Sequence, residues 1–181
     1  MLILGCNENP VNEADPFDTF STDGAPLSKM TYDTESIFGQ GPEGDIVEGG
    51  EATLRRTPNG ISVKVSMPTP ESGTYQYPED AEEGHPEAFT LWVFVFDDPE
   101  SEDWTGAFLG AGHVFGGPHL NLSGTVSRNT EPFLGDRLEN PADAEIHLAV
   151  APHGEVDPDK LPDQIKTPSG SPEHWWLAIF E

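Results

Sequence analysis

Four of the six histidines form two pairs with the same spacing. His113 and His119 are six residues apart, as are His147 and His153, and on a strand His147 shares a face with Glu145. Imidazole rings and a carboxylate on neighbouring strands are ligands that Zn²⁺ or Cu²⁺ accepts. The sequence therefore offers His113, His147 and His153 as a candidate metal set. The alternative is that these histidines make ordinary hydrogen bonds at strand ends.

A run of acidic residues follows the most apolar segment of the chain. Five acids occur in the seven residues from Asp97 to Asp103. Calcium binds several carboxylate and carbonyl oxygens from a flexible loop, so the run is a candidate calcium site. It does not have the EF-hand pattern, because glycine and the closing glutamate are not at the required offsets. The alternative is a solvated loop, since the chain contains 33 acids.

Several aromatic residues are placed where they could stack on sugar rings, or where they could instead cover the edge of a core. The candidate ligand-binding residues are Trp104, Trp175 and Trp176, together with Tyr75 and Tyr77. No nucleophile elbow, phosphate-binding loop, HExxH motif or cysteine nucleophile occurs in the sequence. No catalytic residues are predicted, and a binding or structural role is favoured over an enzymatic one.

The charge balance is strongly acidic. Eight Lys and Arg face 33 Asp and Glu, which gives a formal net charge of −25. Such a surface repels a phosphate backbone, so the sequence predicts no nucleic-acid partner. A salt-adapted surface, which stays hydrated and monomeric where salt screens its self-repulsion, is one explanation. A cation-binding surface is the second, and chance or a partner-specific patch is the third.

The single cysteine lies near the start of the chain. Residues 2–6 read Leu-Ile-Leu-Gly-Cys, like the end of a prokaryotic lipobox, and a polar stretch suited to a tether follows. Only three residues lie between Met1 and Gly5, far fewer than a signal peptide needs, so this interpretation requires a start upstream of Met1. We expect Cys6 to be lipidated, residues 1–6 to be a signal remnant and residues 7–50 to be an acidic, partly ordered linker.

Apolar residues begin to alternate with polar ones at residue 51. Asn59-Gly60 lies between residues 51–57 and residues 61–67, where Ile61, Val63 and Val65 alternate with polar side chains, and this pattern predicts a β-hairpin. Residues 88–96 are almost continuously apolar and predict a central strand buried on both faces. Further strands are predicted at residues 105–115, 119–128, 144–151 and 175–180, a short one near residues 29–32, and one helical turn after Asp157.

About seven strands separated by turn signals predict an all-β fold. We expect residues 51–181 to form an immunoglobulin-like antiparallel β-sandwich, with a small β-barrel as the alternative.

Three segments resemble a known group of proteins. They are Phe89-Thr-Leu-Trp-Val-Phe-Val-Phe-Asp-Asp-Pro-Glu100, then Gly112-His113-Val114, then Asn140-Pro-Ala-Asp-Ala-Glu-Ile-His-Leu-Ala-Val150. Their order resembles a group of secreted bacterial proteins of unassigned function with a "YTLWWVVFNNPE", "GHV" and "NPxxAEIHLVVRxHG" pattern. The cysteines that follow the first segment and end the domain in that group are missing from this chain. The resemblance implies export and an all-β fold, and it implies no reaction.

These observations predict an exported, lipid-anchored and monomeric module at the surface of a salt-adapted prokaryotic cell, with a binding or structural role and no cofactor. Two alternatives come from different classes. One is a metal-binding protein that uses zinc, copper or calcium, with the strand histidines as ligands for the transition metals. The other is a carbohydrate-binding module that uses the tryptophans.

Overall fold

The computed structural model describes residues 31–41, 43–71, 75, 85–100, 103–168 and 170–181. Two antiparallel sheets pack face to face, so the predicted β-sandwich is confirmed. Cys6, Tyr77 and most of the predicted linker lie outside the described residues. No helix within these ranges has the length and hydrophobicity needed to cross a membrane.

The first sheet, called sheet A, has the strand order β1-β2-β3-β6, and the second, sheet B, has the order β7-β5-β4-β8-β9. The strands are β1 (Thr31–Glu35), β2 (Glu51–Thr57), β3 (Gly60–Pro68), β4 (Glu87–Phe96), β5 (Gly106–Phe115), β6 (His119–Ser127), β7 (Leu134–Gly135), β8 (Glu145–Glu155) and β9 (Trp176–Phe180). A one-turn helix α1 (Leu161–Gln164) and a 3-10 turn (Pro172–His174) precede β9.

The β2–β3 hairpin forms as its sequence predicts. Thr57 pairs with Gly60 across the turn, and the register continues to Glu51 opposite Ser66. Ile61, Val63 and Val65 are at most 3 % exposed, because alternate side chains of a strand point to the same face and this face meets sheet B. The period of two in the sequence therefore identifies the inner face of sheet A.

Strand β4 lies in the middle of sheet B, between β5 and β8. Phe89, Leu91, Val93 and Val95 point into the core between the sheets, as predicted. Trp92, Phe94 and Phe96 point to the opposite side, which we call the outer face of sheet B. A register shift between Leu91 and Trp92 marks a bulge against β5.

Strand β6, at the edge of sheet A, approaches β5, the strand next to the edge of sheet B, on one side of the sandwich. A Cβ on Gly124 of β6 would lie 2.7 Å from the Cα of Gly110 in β5. Real Cβ atoms do not come so close, so the pair of glycines allows the two backbones to touch. This contact closes one side of the sandwich without joining the sheets into a barrel.

Two boundaries differ from the sequence prediction. The segment predicted as a linker joins the fold from residue 31 onward, because β1 pairs with β2 and Ile37 is only 1 % exposed in the core. The helix begins at Leu161 with Pro162 in its first turn, later than the predicted start at Pro158. Asp157 instead accepts hydrogen bonds from Asp159 N and Lys160 Nζ, which forms a turn ahead of the helix.

Candidate functional site

The outer face of sheet B carries a mostly apolar surface. Trp92 lies opposite Leu109 of β5 and Ala149 of β8, and Ala149 lies opposite Leu177 of β9. Side chains directly opposite each other in an antiparallel pair share a face, so these residues form one continuous surface. In the described part of the chain, no strand of sheet A covers this surface, because the inner face of sheet B makes the core.

Three aromatic side chains form a cluster on this face, which we call the aromatic platform: Phe94, Trp104 and Trp175. Phe94 and Trp175 are stacked, with ring centroids 5.6 Å apart and an angle of 16° between the rings. Trp104 meets Phe94 edge to face at 6.2 Å, and it is 40 % exposed. Both geometries are those that aromatic pairs prefer. Trp104 thus presents part of its indole to solvent on a firmly packed base.

The backbone of Gly135 packs closely against the Trp104 ring. Gly135 has a φ of 79°, a conformation that glycine adopts without strain. A Cβ there would lie 2.9 Å from the Trp104 ring and 2.3 Å from the Thr105 carbonyl oxygen. Strand β7, the edge of the sheet, therefore packs against the indole because residue 135 has no side chain.

Phe133 extends the exposed apolar surface beyond the aromatic platform. Its ring meets Trp92 edge to face with centroids 5.2 Å apart, and it is 47 % exposed. Trp92 itself is only 1 % exposed. Phe133 therefore covers the buried indole while presenting its own ring to solvent.

A polar pair lies beside the aromatic platform. His147 is the cross-strand partner of Phe94, and its Nε2 lies 2.5 Å from Glu145 Oε1. The His147 ring also contacts the Phe96 ring, with centroids 4.5 Å apart. Both side chains of the pair are about a quarter exposed, at 26 % and 22 %. A hydrogen-bonding pair therefore stands among aromatic rings at a position open to solvent.

His153, towards the other end of β8, takes part in hydrogen bonds that join different elements of the fold. Its Nε2 bonds to Thr90 Oγ1 at 2.7 Å, and the Thr90 hydroxyl donates to the Ile165 carbonyl oxygen at 2.8 Å. The side-chain amide of Gln164 donates to the carbonyl oxygens of His153 and Glu155. These bonds hold α1 and the residue after it over the outer face of sheet B. Desolvation lowers the pKa of His153 to about 4.

The structure does not bring the candidate metal set together. His147 and His153 are six residues apart on one extended strand, or about 20 Å. His113 lies opposite Phe89 on one side of β4, and His153 follows Pro152, which lies opposite Phe89 on the other side. Zinc ligands lie about 2 Å from the metal, so these three side chains cannot share an ion. In the part of the chain that is described, no group of three or more His, Cys, Asp or Glu could hold a metal.

His119, which is spaced six residues from His113, and Asp97 of the acidic run have protein partners as well. His119 Nε2 bonds to Ser66 on sheet A, far from the outer face of sheet B. Asp97, at the start of the acidic run, accepts hydrogen bonds from the backbone N–H of Glu139 and Asn140 at 3.0 and 2.7 Å. Both carboxylate oxygens of Asp97 thus hold the segment that leads to β8. Calcium binding by this run stays a prediction.

The aromatic candidates divide between the two faces of sheet B. Trp104 and Trp175 belong to the aromatic platform, whereas Trp176 points into the core and is 6 % exposed. Tyr75 is also buried, with edge-to-face contacts to Phe89 and Trp176, and its hydroxyl donates to Glu87. Trp176 and Tyr75 therefore pack in the core and do not belong to the aromatic platform. Consecutive residues of a strand point to opposite faces, which separates Trp175 from Trp176.

Sequence reasoning missed two residues of this surface. Phe133 lies in the loop between β6 of sheet A and β7 of sheet B. Nothing in its local sequence indicates that it packs on Trp92. Gly135 was not singled out, although a glycine after Phe133-Leu134 in a turn-rich segment is a signal for a positive φ. Their positions depend on the pairing of β7 with β5, which joins segments about 30 residues apart.

Comparison of the chain with protein-family models, with curated proteins and with solved structures finds no match. The resemblance to secreted bacterial proteins stays a prediction. The fold and the outer face of sheet B are thus the observations from which a function can be argued.

Proposed function

We propose that this domain is a binding module that acts outside a prokaryotic cell and holds neutral carbohydrate on the outer face of sheet B. The observation that carries the proposal is the aromatic platform, in which Trp104 is 40 % exposed and packed on Phe94. An exposed indole on a fixed base can stack on the apolar face of a sugar ring without losing side-chain freedom on binding.

The charge of the chain favours a neutral sugar over an acidic one. With a net charge of −25, the protein repels polysaccharides that carry carboxylate or sulfate groups. Stacking on an aromatic ring needs no opposite charge, and it persists in concentrated salt, where ionic attraction is screened. A neutral, ring-shaped and hydroxylated ligand therefore matches both the surface and the charge.

Two features of the sequence support a location of the protein outside the cell. The Leu-Ile-Leu-Gly-Cys segment at residues 2–6 is suited to a lipid anchor at Cys6, and the acidity is suited to a salt-rich medium. Export and lipidation of Cys6 remain proposals that rest on these residues.

The proposed function is tested by removing the exposed indole. Trp104→Ala is expected to weaken binding to a soluble neutral polysaccharide by about 2 kcal/mol, or about 30-fold, because the stacking surface is lost. Affinity electrophoresis in gels that contain soluble β-glucan, xylan or mannan would measure the change. Tyr32→Ala removes an aromatic side chain that is 68 % exposed on sheet A, and it is the matched control, with no expected effect. Equal losses in the two variants, or no retardation of the native protein by any of the three, would contradict the proposal.

Salt adaptation gives a separate prediction. The melting temperature is expected to rise steadily with NaCl from 0.05 to 2 M, because screening shortens the Debye length to about 3 Å at 1 M and reduces repulsion among the carboxylates. Differential scanning calorimetry measures the trend. Sucrose at matched osmolality controls for solute exclusion, and it should raise the melting temperature less. A melting temperature that is unchanged or falls with salt would refute salt adaptation.

A further inference from the structure

The Glu145–His147 pair has features of a recognition element. Within the described ranges, neither side chain forms a hydrogen bond to the backbone or to another element, and the pair contacts the Phe96 ring through His147. Other polar groups of the fold differ, since Arg56, Asp97 and His153 all bond across elements. The pair therefore does not hold the sandwich together.

The position of the pair has an energetic cost. Its side chains are about three-quarters buried between aromatic and aliphatic neighbours, where an apolar residue would pack without loss of hydration. Partial burial of polar groups is unfavourable unless they gain hydrogen bonds. One bond joins the pair internally, and it leaves Glu145 Oε2 and His147 Nδ1 for another partner.

The hydrogen-bonding chemistry of the two remaining atoms indicates what that partner is. Glu145 is an acceptor when ionised, and with the proton on Nε2, shared with Glu145, His147 Nδ1 is also an acceptor. Each of these two acceptors matches a hydroxyl donor on the ligand. His147 lies directly opposite Phe94 on the same face, so such a ligand could reach the pair from the aromatic platform.

We propose that the Glu145–His147 pair recognises free hydroxyl groups of a sugar that stacks on the aromatic platform. This proposal rests on the proposed function, because it needs carbohydrate on the same face. The platform supplies affinity for the ring, and the pair selects for free hydroxyl groups. Loss of the pair should therefore change specificity more than it changes retention of the ligand.

Isothermal titration calorimetry with hexaoses of β-1,4-glucan, β-1,4-xylan and β-1,4-mannan, and with the O-methylated form of each, tests this inference. O-methylation removes the hydroxyl donors and keeps the ring. The native protein is expected to prefer the unmethylated hexaose by at least about tenfold, the effect of a hydrogen bond to a charged acceptor. Glu145→Gln and His147→Phe should both reduce the preference to near one while binding persists.

The controls separate this inference from the proposed function. Glu35→Gln makes the same substitution at an exposed position of sheet A, and it should keep the full preference. If the preference also persists in Glu145→Gln and His147→Phe, the pair does not recognise hydroxyl groups, although the platform still binds sugar. If the native protein binds none of the six oligosaccharides, the proposed function and this inference both fail. Thermal unfolding of each variant confirms that it is folded, and the two single variants test the pair independently.

Discussion

Replacing Arg56 with methionine is expected to lower the free energy of unfolding by about 3 kcal/mol. Arg56 is on the inner face of β2, and only 5 % of it is exposed. Its Nη1 donates to the carbonyl oxygens of Ala144 at 2.7 Å and Pro141 at 3.3 Å, and its Nε lies 3.9 Å from Asp33 Oδ2. Methionine keeps the aliphatic stem and leaves these buried carbonyl groups without a donor.

The position of Arg56 explains why the effect should be large. Ala144 immediately precedes β8, so this side chain ties sheet A to the start of the strand that carries Glu145 and His147. Desolvation lowers the pKa of Arg56, and the charges of Asp33 and Asp143 partly oppose this shift. The guanidinium therefore stays buried because it is both hydrogen-bonded and close to acids.

Urea denaturation of the variants measures the loss. Arg55→Met is the matched control, since Arg55 is the adjacent residue of β2 and points to the more exposed face; the expected loss is about 1 kcal/mol or less. Arg56→Lys should give an intermediate result, because lysine keeps the charge and loses the fork of donors. Equal stability of the Arg56→Met and Arg55→Met variants would show that the carbonyl contacts contribute little.

Acidification is expected to destabilise the domain through His153. The pKa of His153 is lowered to about 4 in the folded protein, against an ordinary value of about 6.5 in the unfolded chain. Between these values the unfolded state binds the proton more readily, so stability falls as the pH drops from 6.5 towards 4. The difference of about 2.5 pKa units corresponds to about 3 kcal/mol at the acid end of this window.

The comparison of His153→Gln with the native protein isolates this effect. Glutamine keeps an N–H donor for Thr90 and does not titrate, so the native protein should lose up to about 3 kcal/mol relative to the variant between pH 6.5 and 4. Urea unfolding at half-unit pH steps measures the free energy of unfolding of both proteins. Subtracting one from the other removes the contribution of the many carboxylates that both proteins share. An NMR titration should place the midpoint of the His153 ring signals near pH 4. Parallel stability curves for the two proteins would show that His153 does not control the pH response.

Local sequence patterns predicted most of the fold because they depend on neighbouring residues. The Asn59-Gly60 turn and the alternation of Ile61, Val63 and Val65 predicted a hairpin and its buried face, and both are present. The almost continuous apolar run of β4 predicted a strand covered on both faces. Sheet A covers the inner face, and Phe133 and Trp175 pack on the outer face. These predictions succeed because strand geometry alternates side chains with a fixed period of two.

The candidate site could be predicted only in part. The same period correctly placed Glu145 beside His147 on one face of β8. It could not show that His113 and His153 are on opposite sides of β4, since strand order depends on which distant segments pair. The sequence therefore could not show that His113, His147 and His153 lie apart, because long-range pairing decides these distances.

The sequence alone determined that this chain is acidic, that its strands alternate between two faces, and which residues of each strand share a face. Only the tertiary structure decided that Trp104 packs on Phe94 beside His147 and that Trp176 lies in the core. The physical reason is that periodicity is set by bonds between adjacent residues. The aromatic platform is instead assembled from segments about 10 to 80 residues apart, and their meeting depends on the packing and pairing of the whole sheet.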